Sequence, residues 1–225
     1  MPRIVAHRGA PRELRENTLP SFARALELGA EGIELDVHAT ADGVVVVHHD
    51  AEVVDGDRVV PIAALMWGDL ERIQLPGGAS VPTLAAVMEF VNDRVPVYVE
   101  VKAPGIEDVL LESLARWPTA PAHSFDHRIV REIRNREPGR PVGVLLSSRL
   151  IDTVAAVNST GATALWMHWS MIDRELVEAA HGAAMEVIAW TVNEAPVARR
   201  LVGYGVDALC TDDCGAIAAA LEMQG

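Results

Sequence analysis

Residues 32–37 read Gly-Ile-Glu-Leu-Asp-Val, an apolar run of strand character that carries two carboxylates. Strands of a parallel sheet are buried on both faces, so they normally read as nearly continuous apolar runs. Charged residues inside such a run are therefore the exceptions that carry information. Because strand side chains alternate between faces, Glu34 and Asp36 point to the same side.

Seven other apolar runs resemble this one, and segments with helical spacing lie between them. The eight runs cover residues 3–6, 32–37, 97–101, 122–125, 142–146, 164–167, 186–191 and 207–211. Alternating strands and helices indicate βα units and a mostly parallel sheet. Eight such units in 225 residues predict a compact (β/α)8 barrel, or TIM barrel. An open doubly wound sheet is the alternative architecture, and the sequence separates the two poorly.

A ninth run, residues 44–49, interrupts the alternation directly after Asp42-Gly43. An Asp-Gly pair is a strong hairpin signal, so we expect an extra strand that doubles back on the second barrel strand. The insert from about residue 50 to 95 contains one helical piece starting at Thr83 and otherwise irregular sequence, and we expect it over the barrel mouth. No linker divides the chain, so residues 1–225 are predicted to form a single domain.

Start and stop signals mark several of the helical segments. The plausible N-caps are Thr18, Thr83, Asp126, Asp173 and Asn193. Gly29 and Gly203 stand where a helix often ends in a left-handed glycine.

The charge of the chain excludes several partners. Nineteen Lys and Arg against 32 Asp and Glu give a net charge of −13, which repels nucleic acid and anionic membranes. No apolar run approaches the length of a membrane span, and the N-terminus lacks a signal peptide. The two cysteines, Cys210 and Cys214, read as small apolar fillers rather than as a disulfide framework. We therefore expect a cytoplasmic protein without stable membrane association, and we make no prediction of its oligomeric state.

Charged and imidazole side chains gather at the ends of three predicted barrel strands and of the extra strand. They are His7, Arg8, Glu34, Asp36, His48, His49, Glu100 and Lys102. The carboxyl ends of barrel strands meet at one mouth, so these groups converge there. Lys102 is the only lysine in the chain, which otherwise uses arginine for positive charge. Since His48 and His49 point to opposite faces, only one of the two lines the mouth.

This combination indicates metal-assisted phosphodiester chemistry. Three converging carboxylates repel one another unless a hard cation such as Mg²⁺, Ca²⁺ or Mn²⁺ binds them. Arg and Lys at the same mouth point to a substrate with its own negative charge, and phosphate is the natural candidate. Two histidines suit a general acid and a general base. The remaining histidines, His38, His123, His127, His168 and His181, are predicted to be structural or surface residues. Trp190 is equally well read as core or as a substrate wall.

The sequence also resembles the glycerophosphodiester phosphodiesterase family, of the phospholipase-C-like phosphodiesterase TIM barrels. Nine motifs carry the resemblance, in family order: His7-Arg8-Gly9, Glu16-Asn17-Thr18, residues 32–43, His49-Asp50, Val81-Pro82-Thr83-Leu84, Glu100-Val101-Lys102, Ser124-Phe125-Asp126, Trp190-Thr191-Val192-Asn193, and Gly205-Val206-Asp207 with Thr211-Asp212. Each motif is weak alone, whereas nine in order are specific.

The resemblance implies roles for individual residues of this chain. The resemblance implies that Glu34, Asp36 and Glu100 hold a divalent metal, with Glu16 and Asn17 in a supporting position beside it. It implies that His7 and His49 form an acid–base pair and that Arg8 and Lys102 bind phosphate. Trp190 would form a wall for the glycerol moiety. The implied reaction is hydrolysis of a glycerophosphodiester, a small molecule, to sn-glycerol 3-phosphate and an alcohol. The nucleophile is either water or the glycerol 2-hydroxyl, and the sequence does not say which histidine is the acid.

Two departures from the family pattern concern the mouth. Residues 51–58 replace a stretch that usually contains Arg-Thr, and the ending Thr211-Asp212-Asp213-Cys214 lacks a proline often found there. The short insert favours a small soluble head group. A lysophospholipase D with an apolar groove for one acyl chain is the first alternative function. A catalytically silent barrel that binds phosphorylated ligands is the second.

Overall fold

The computed structural model of the chain describes residues 1–222, and eight of its strands form a closed parallel barrel. The strands are β1 (Arg3–His7), β2 (Gly32–Ala39), β3 (Val45–Val47), β4 (Glu52–Asp55), β5 (Arg58–Pro61), β6 (Val97–Val101), β7 (Ala122–Ser124), β8 (Val142–Leu146), β9 (Ala164–His168), β10 (Glu186–Trp190) and β11 (Ala208–Thr211). The ring closes because β1 pairs in parallel with both β2 and β11. The predicted (β/α)8 barrel is confirmed, and the open doubly wound sheet is excluded.

Helices follow the barrel strands and pack around the ring. They are α1 (Leu19–Glu27), α2 (Trp67–Leu70), α3 (Leu84–Val91), α4 (Glu107–Ser113), α5 (His127–Arg136), α6 (Thr153–Asn158), α7 (Arg174–Gly182), α8 (Ala195–Tyr204) and α9 (Cys214–Glu222), with short 3₁₀ turns at Ile62–Ala64 and Trp169–Met171.

Four of the five predicted N-caps are confirmed. The hydroxyls or carboxylates of Thr18, Thr83, Asp126 and Asp173 each accept a hydrogen bond from a backbone N–H in the first turn. The fifth prediction was wrong, because α8 follows Glu194 and Asn193 instead bonds to the segment after β11. Gly203 was also wrong as a helix end. It lies inside α8, and Gly205 ends the helix at a φ of 92°.

The extra strand lies outside the ring, as predicted. β3 pairs antiparallel with the end of β2, and Val47 stands opposite Val37. Gly43 takes a φ of 80° in the connecting turn, a left-handed conformation that favours glycine. The Asp-Gly pair therefore does form the hairpin turn between the two strands.

The insert after β3 is more regular than expected. β4 and β5 form a two-stranded hairpin, where the sequence predicts irregular structure. Its buried apolar residues pack onto the outward-facing Val46 of β3 and form a cluster of their own. That cluster contains Val46, Val53, Ile62, Leu70, Ile73, Leu75 and Val81. The insert thus adds a small separate core against the extra strand.

Two apolar layers hold the barrel together. A large cluster fills the space between the strands and the surrounding helices, and a smaller one fills the barrel interior. The interior cluster consists of Val5, Tyr98, Leu145, Trp166, Ile188, Ala208 and Cys210. Both cysteines are buried and unpaired, in agreement with the expectation that they act as apolar fillers. Within residues 1–222, no helix has the length and apolar character needed to cross a membrane.

Candidate active site

The carboxyl ends of the first, second and last barrel strands bring the first histidine into position. His7 ends β1 and stands beside Glu34 of β2 in the strand register. Its Nδ1 lies 2.7 Å from Oδ1 of Asp212, which follows β11. The Nδ2 amide of Asn193 donates to the other oxygen of Asp212 at 2.6 Å. The imidazole is therefore held through Nδ1, which leaves its opposite nitrogen for the cavity.

The turn after β1 places the Arg8 guanidinium in the site. Gly9 has a φ of 95°, and a Cβ atom there would lie 2.4 Å from Oγ of Ser21, so only glycine fits. Arg8 itself adopts the left-handed region at a φ of 57°. Its Nε lies 3.0 Å from Oδ2 of Asp36, and its Nη1 lies 3.4 Å from Glu16. Glu16 therefore supports Arg8 rather than lining the cavity.

Asp36 is the most heavily engaged carboxylate of the site. Oδ2 accepts a 2.8 Å hydrogen bond from the Asn17 amide and also faces Arg8. Oδ1 lies 3.2 Å from Nζ of Lys102 without hydrogen-bond geometry. Burial opposes ionisation of Asp36, but Arg8, Lys102 and the Asn17 hydrogen bond outweigh it and lower its pKa. Asp36 is thus ionised and balanced by two cations.

Glu34 and Glu100 are buried carboxylates whose pKa values are raised rather than lowered. Burial first, and then the nearby Asp36 and Glu100 carboxylates, raise the pKa of Glu34 well above its ordinary range. Burial and Asp36 raise the pKa of Glu100 as well, although Lys102 Nζ donates to its Oε1 at 2.8 Å. In the strand register Asp36 stands beside Glu100. This crowding of buried acids is the arrangement that a divalent cation would relieve.

His49 approaches the same cavity from the segment that follows the extra strand. It lines the cavity, and its Nδ1 lies 2.8 Å from Oδ1 of Asp50. The ring of His38 bonds to the backbone carbonyl of His49 at 3.1 Å, which fixes the turn. His48 is buried and is not part of the cavity lining. His7 and His49 therefore each have a carboxylate on Nδ1.

His123, predicted from the sequence to be a structural or surface residue, lies inside the site. It stands beside Glu100 in the strand register, and its ring stacks on Trp166 at a centroid distance of 4.2 Å. Burial lowers the pKa of His123 to about 3, so the imidazole is neutral. One ligand atom each from Glu34, Glu100 and His123 lie within 4.8 Å of one another. Nothing in the sequence marks His123 as a residue of the site, because it lies within an ordinary strand.

The cavity between these groups has a volume of about 230 Å³. It is lined by His7, Arg8, Glu34, His49, Glu100, Lys102, His123, Phe125, Leu145, Trp166, Trp190, Thr191 and Cys210. Phe125 meets Trp190 edge to face at 5.4 Å, and the two rings form one apolar wall. A larger cavity of about 380 Å³ lies at the opposite end of the barrel, away from this chemistry.

All ten residues singled out from the sequence thus lie in or beside one cavity. Seven line it: His7, Arg8, Glu34, His49, Glu100, Lys102 and Trp190. Asp36, Asn17 and Glu16 lie behind Arg8 and contact it or each other. The sequence predicts no part in the site for Asp212, Asn193, Phe125 or His123. The first three stand in quoted motifs, which was the available signal.

Comparison with known proteins agrees with the fold. Over 227 residues the chain is 31% identical to a glycerophosphodiester phosphodiesterase of Caldanaerobacter subterraneus, covering 93% of each chain. A glycerophosphoryl diester phosphodiesterase structure from Silicibacter pomeroyi superposes with a TM-score of 0.91 at 26% identity, covering 100% of this chain and 94% of that one. An Oleispira antarctica phosphodiesterase, solved with the product sn-glycerol-3-phosphate, gives 0.89 at 24% identity and shares the fold, covering 99% and 97%.

The chain is therefore a phosphoric diester hydrolase built on a (β/α)8 barrel. Residues 7–216 match the Glycerophosphoryl diester phosphodiesterase family, and the chain belongs to that family.

Proposed function

We propose that this protein hydrolyses glycerophosphodiesters to sn-glycerol 3-phosphate and an alcohol, with the help of one divalent cation and two histidines. One observation carries the proposal: a single cavity is lined by His7 and His49, by two buried carboxylates, and by Arg8 and Lys102. A phosphodiester bears one negative charge, and Arg8 and Lys102 are the two cations that face the cavity. The related phosphodiesterase solved with sn-glycerol-3-phosphate supports a substrate of this class.

The proposed cation site consists of Glu34, Asp36 and Glu100, as the sequence predicts. Oδ1 of Asp36 is a buried atom without a hydrogen-bond partner in residues 1–222, and such an atom fits a bound ion. Carboxylate oxygens suit Mg²⁺, Ca²⁺ and Mn²⁺. A cation held there would polarise a phosphoryl oxygen and offset the charge that develops in the transition state.

The side chains of the chain then have separate tasks. Arg8 presents a planar donor fork and Lys102 a point charge to the phosphoryl oxygens. One histidine takes the proton of the attacking hydroxyl, which belongs either to water or to the glycerol 2-hydroxyl. The other histidine donates a proton to the oxygen of the leaving alcohol. Asp212 and Asp50 hold the two rings so that the opposite nitrogens face the substrate.

A lysophospholipase D activity is the second candidate, and exposed apolar side chains favour it. Phe125 is 47% exposed in the loop after β7, and Ile151 is fully exposed in the loop after β8. Both loops follow barrel strands and so lie at the same end as the cavity. An acyl chain would find an apolar surface there.

We further propose a cytoplasmic location, supported by the two unpaired cysteines.

Product analysis by ³¹P NMR tests the proposal. Glycerophosphocholine and lysophosphatidylcholine are supplied separately to the metal-stripped protein and to protein with added Mg²⁺, Ca²⁺ or Mn²⁺. We expect sn-glycerol 3-phosphate and choline from the first substrate, only with metal present. Glu34→Gln should abolish turnover, whereas the exposed Glu27→Gln serves as the matched control. Full turnover without metal would refute the cation site. Faster conversion of lysophosphatidylcholine to lysophosphatidate would favour the second candidate, and ligand binding without turnover would favour a silent barrel.

A further inference from the structure

One side chain of the cavity has no task in the mechanism above. His123 projects from β7 among the groups of the proposed cation site, and its side chain is only 1% exposed. Its Nε2 lies 3.9 Å from Oε1 of Glu34. This distance is too long for a hydrogen bond, so the pair is close without being bonded. Two ligand atoms separated in this way leave room for an ion that contacts both.

The orientation of the His123 ring is fixed by its surroundings. It lies flat on Trp166, with an interplanar angle of 1°. Gly143 of the neighbouring strand makes room for the stack, because a Cβ atom there would lie 2.9 Å from Cδ1 of Trp166 and 3.3 Å from Cβ of His123. The imidazole is therefore presented to the carboxylates in one orientation. A preset orientation is what a metal-ligating side chain requires.

Other donors at the site are partly occupied. Oδ2 of Asp36 already faces both Asn17 and Arg8, and Lys102 approaches its Oδ1. Lys102 also donates to Glu100. The oxygens available from the chain are consequently few for Ca²⁺, which takes six to eight oxygen ligands. A nitrogen donor from His123 would enlarge the ligand set and change its chemical character.

We infer that His123 is a nitrogen ligand of the proposed cation site, beside Glu34 and Glu100, and that it selects Mn²⁺ over Ca²⁺ and Mg²⁺. The inference rests on the proposed function and narrows the identity of its cation. Imidazole suits first-row transition metals such as Fe, Ni, Cu and Zn, and Mn²⁺ is the one ion of the three that belongs to that row, whereas Ca²⁺ and Mg²⁺ take oxygen ligands. A mixed set of carboxylates with one imidazole therefore discriminates among the three ions that carboxylates alone accept.

Pulsed EPR of Mn²⁺ bound to the metal-stripped protein tests the nitrogen ligand directly. We expect a hyperfine coupling from one imidazole nitrogen in the wild type, and its loss in His123→Gln. Titration calorimetry with MnCl₂, CaCl₂ and MgCl₂ gives the selectivity. His123→Gln should weaken Mn²⁺ binding by at least about tenfold, since even outer-shell partners of metal ligands are worth that much. Binding of Ca²⁺ and Mg²⁺ should change little.

The matched control is His181→Gln, because His181 pairs with Asp207 at the opposite end of the barrel. Thermal melting of both variants establishes that they fold. Wild-type protein that binds Mn²⁺ without nitrogen coupling would overturn this inference and leave the proposed function standing. Equal selectivity in the wild type and His123→Gln would also overturn it. Wild-type protein that binds none of the three ions would refute the cation site itself, together with this inference.

Discussion

Asp212 holds His7 by its Nδ1 atom at 2.7 Å, across 205 residues of sequence. Asp212 is fixed in turn, because Asn193 donates to its second oxygen and accepts from its backbone N–H. The carboxylate and the imidazole thus form a rigid pair at the junction of the first and last barrel strands. A carboxylate in this position sets the tautomer of the histidine and steadies its charged form.

We expect Asp212→Asn to lower kcat for glycerophosphocholine by roughly 10²- to 10⁴-fold, because His7 loses its fixed tautomer and its counter-charge. Steady-state kinetics would measure the effect, and KM should change little. Asp213→Asn is the matched control, since Asp213 faces Arg12 and the N-terminus of α9 instead. If the two variants have the same kcat, Asp212 does not act through His7.

A good leaving group should separate the roles of the two histidines. His7→Ala and His49→Ala are each expected to slow glycerophosphocholine hydrolysis by roughly 10²- to 10⁴-fold. With a p-nitrophenyl diester, whose leaving group needs no proton, the variant that lacks the general acid should be largely rescued. The other variant should remain slow. His48→Ala, which changes the buried neighbour outside the cavity, should retain most activity per folded molecule.

If neither His7→Ala nor His49→Ala affects hydrolysis of glycerophosphocholine, the acid–base assignment is wrong. Rescue of both variants by the p-nitrophenyl substrate would also contradict the division into one acid and one base.

Removal of the single lysine, Lys102, should impair turnover without weakening metal binding. Lys102→Met should impair turnover, because the phosphate no longer faces the positive charge of the lysine. It should not weaken metal binding, because Nζ now lies 2.8 Å from Glu100 and 3.2 Å from Asp36 and offsets their charge. Arg8→Lys should impair turnover as well, since the planar fork is lost. Calorimetry and kinetics on the same preparations would check this. Parental turnover by a folded Lys102→Met protein would exclude a role in catalysis.

A methyl group at position 143 should disturb the site from within the barrel. Gly143→Ala places a Cβ atom 2.9 Å from the Trp166 ring, so the stack of Trp166 on His123 must shift. We expect a loss of about 1–3 kcal/mol in the free energy of unfolding, typical of overpacking. Chemical denaturation would measure it. Gly139→Ala is the control, because a Cβ atom there meets nothing within 4 Å. Equal stability of the two variants would show that the stack of Trp166 on His123 shifts without a loss in the free energy of unfolding.

The barrel could be predicted because its strands are local apolar runs that periodicity identifies directly. The β4–β5 hairpin could not be recognised with the same ease, although Asp55-Gly56 repeats the turn signal of Asp42-Gly43. Its strands carry exposed residues on both faces, so the alternation that marks a half-buried strand is weak. Gly205 was missed as the end of α8 because Gly203 precedes it at an equally plausible position.

The site residues could be predicted where charge interrupts an apolar strand, as at Glu34 and Glu100. His123 could not, because an imidazole within a strand is compatible with ordinary burial, and only the register beside Glu100 brings it to the cavity. Asp212, the partner of His7, could not be predicted either. Contacts over so long a sequence separation follow from ring closure, which no local pattern reveals.

Ring closure between β1 and β11 has a consequence for the making of the enzyme. A ribosome adds roughly 5–20 residues per second, so Asp212 leaves it about 10 to 40 seconds after His7. Once Lys102 has been added, the nascent chain contains His7, His49, the buried acids and both cations, yet His7 has no carboxylate on its Nδ1 until Asp212 follows. Catalytic competence is therefore acquired late in biosynthesis, when the final strand docks against the first.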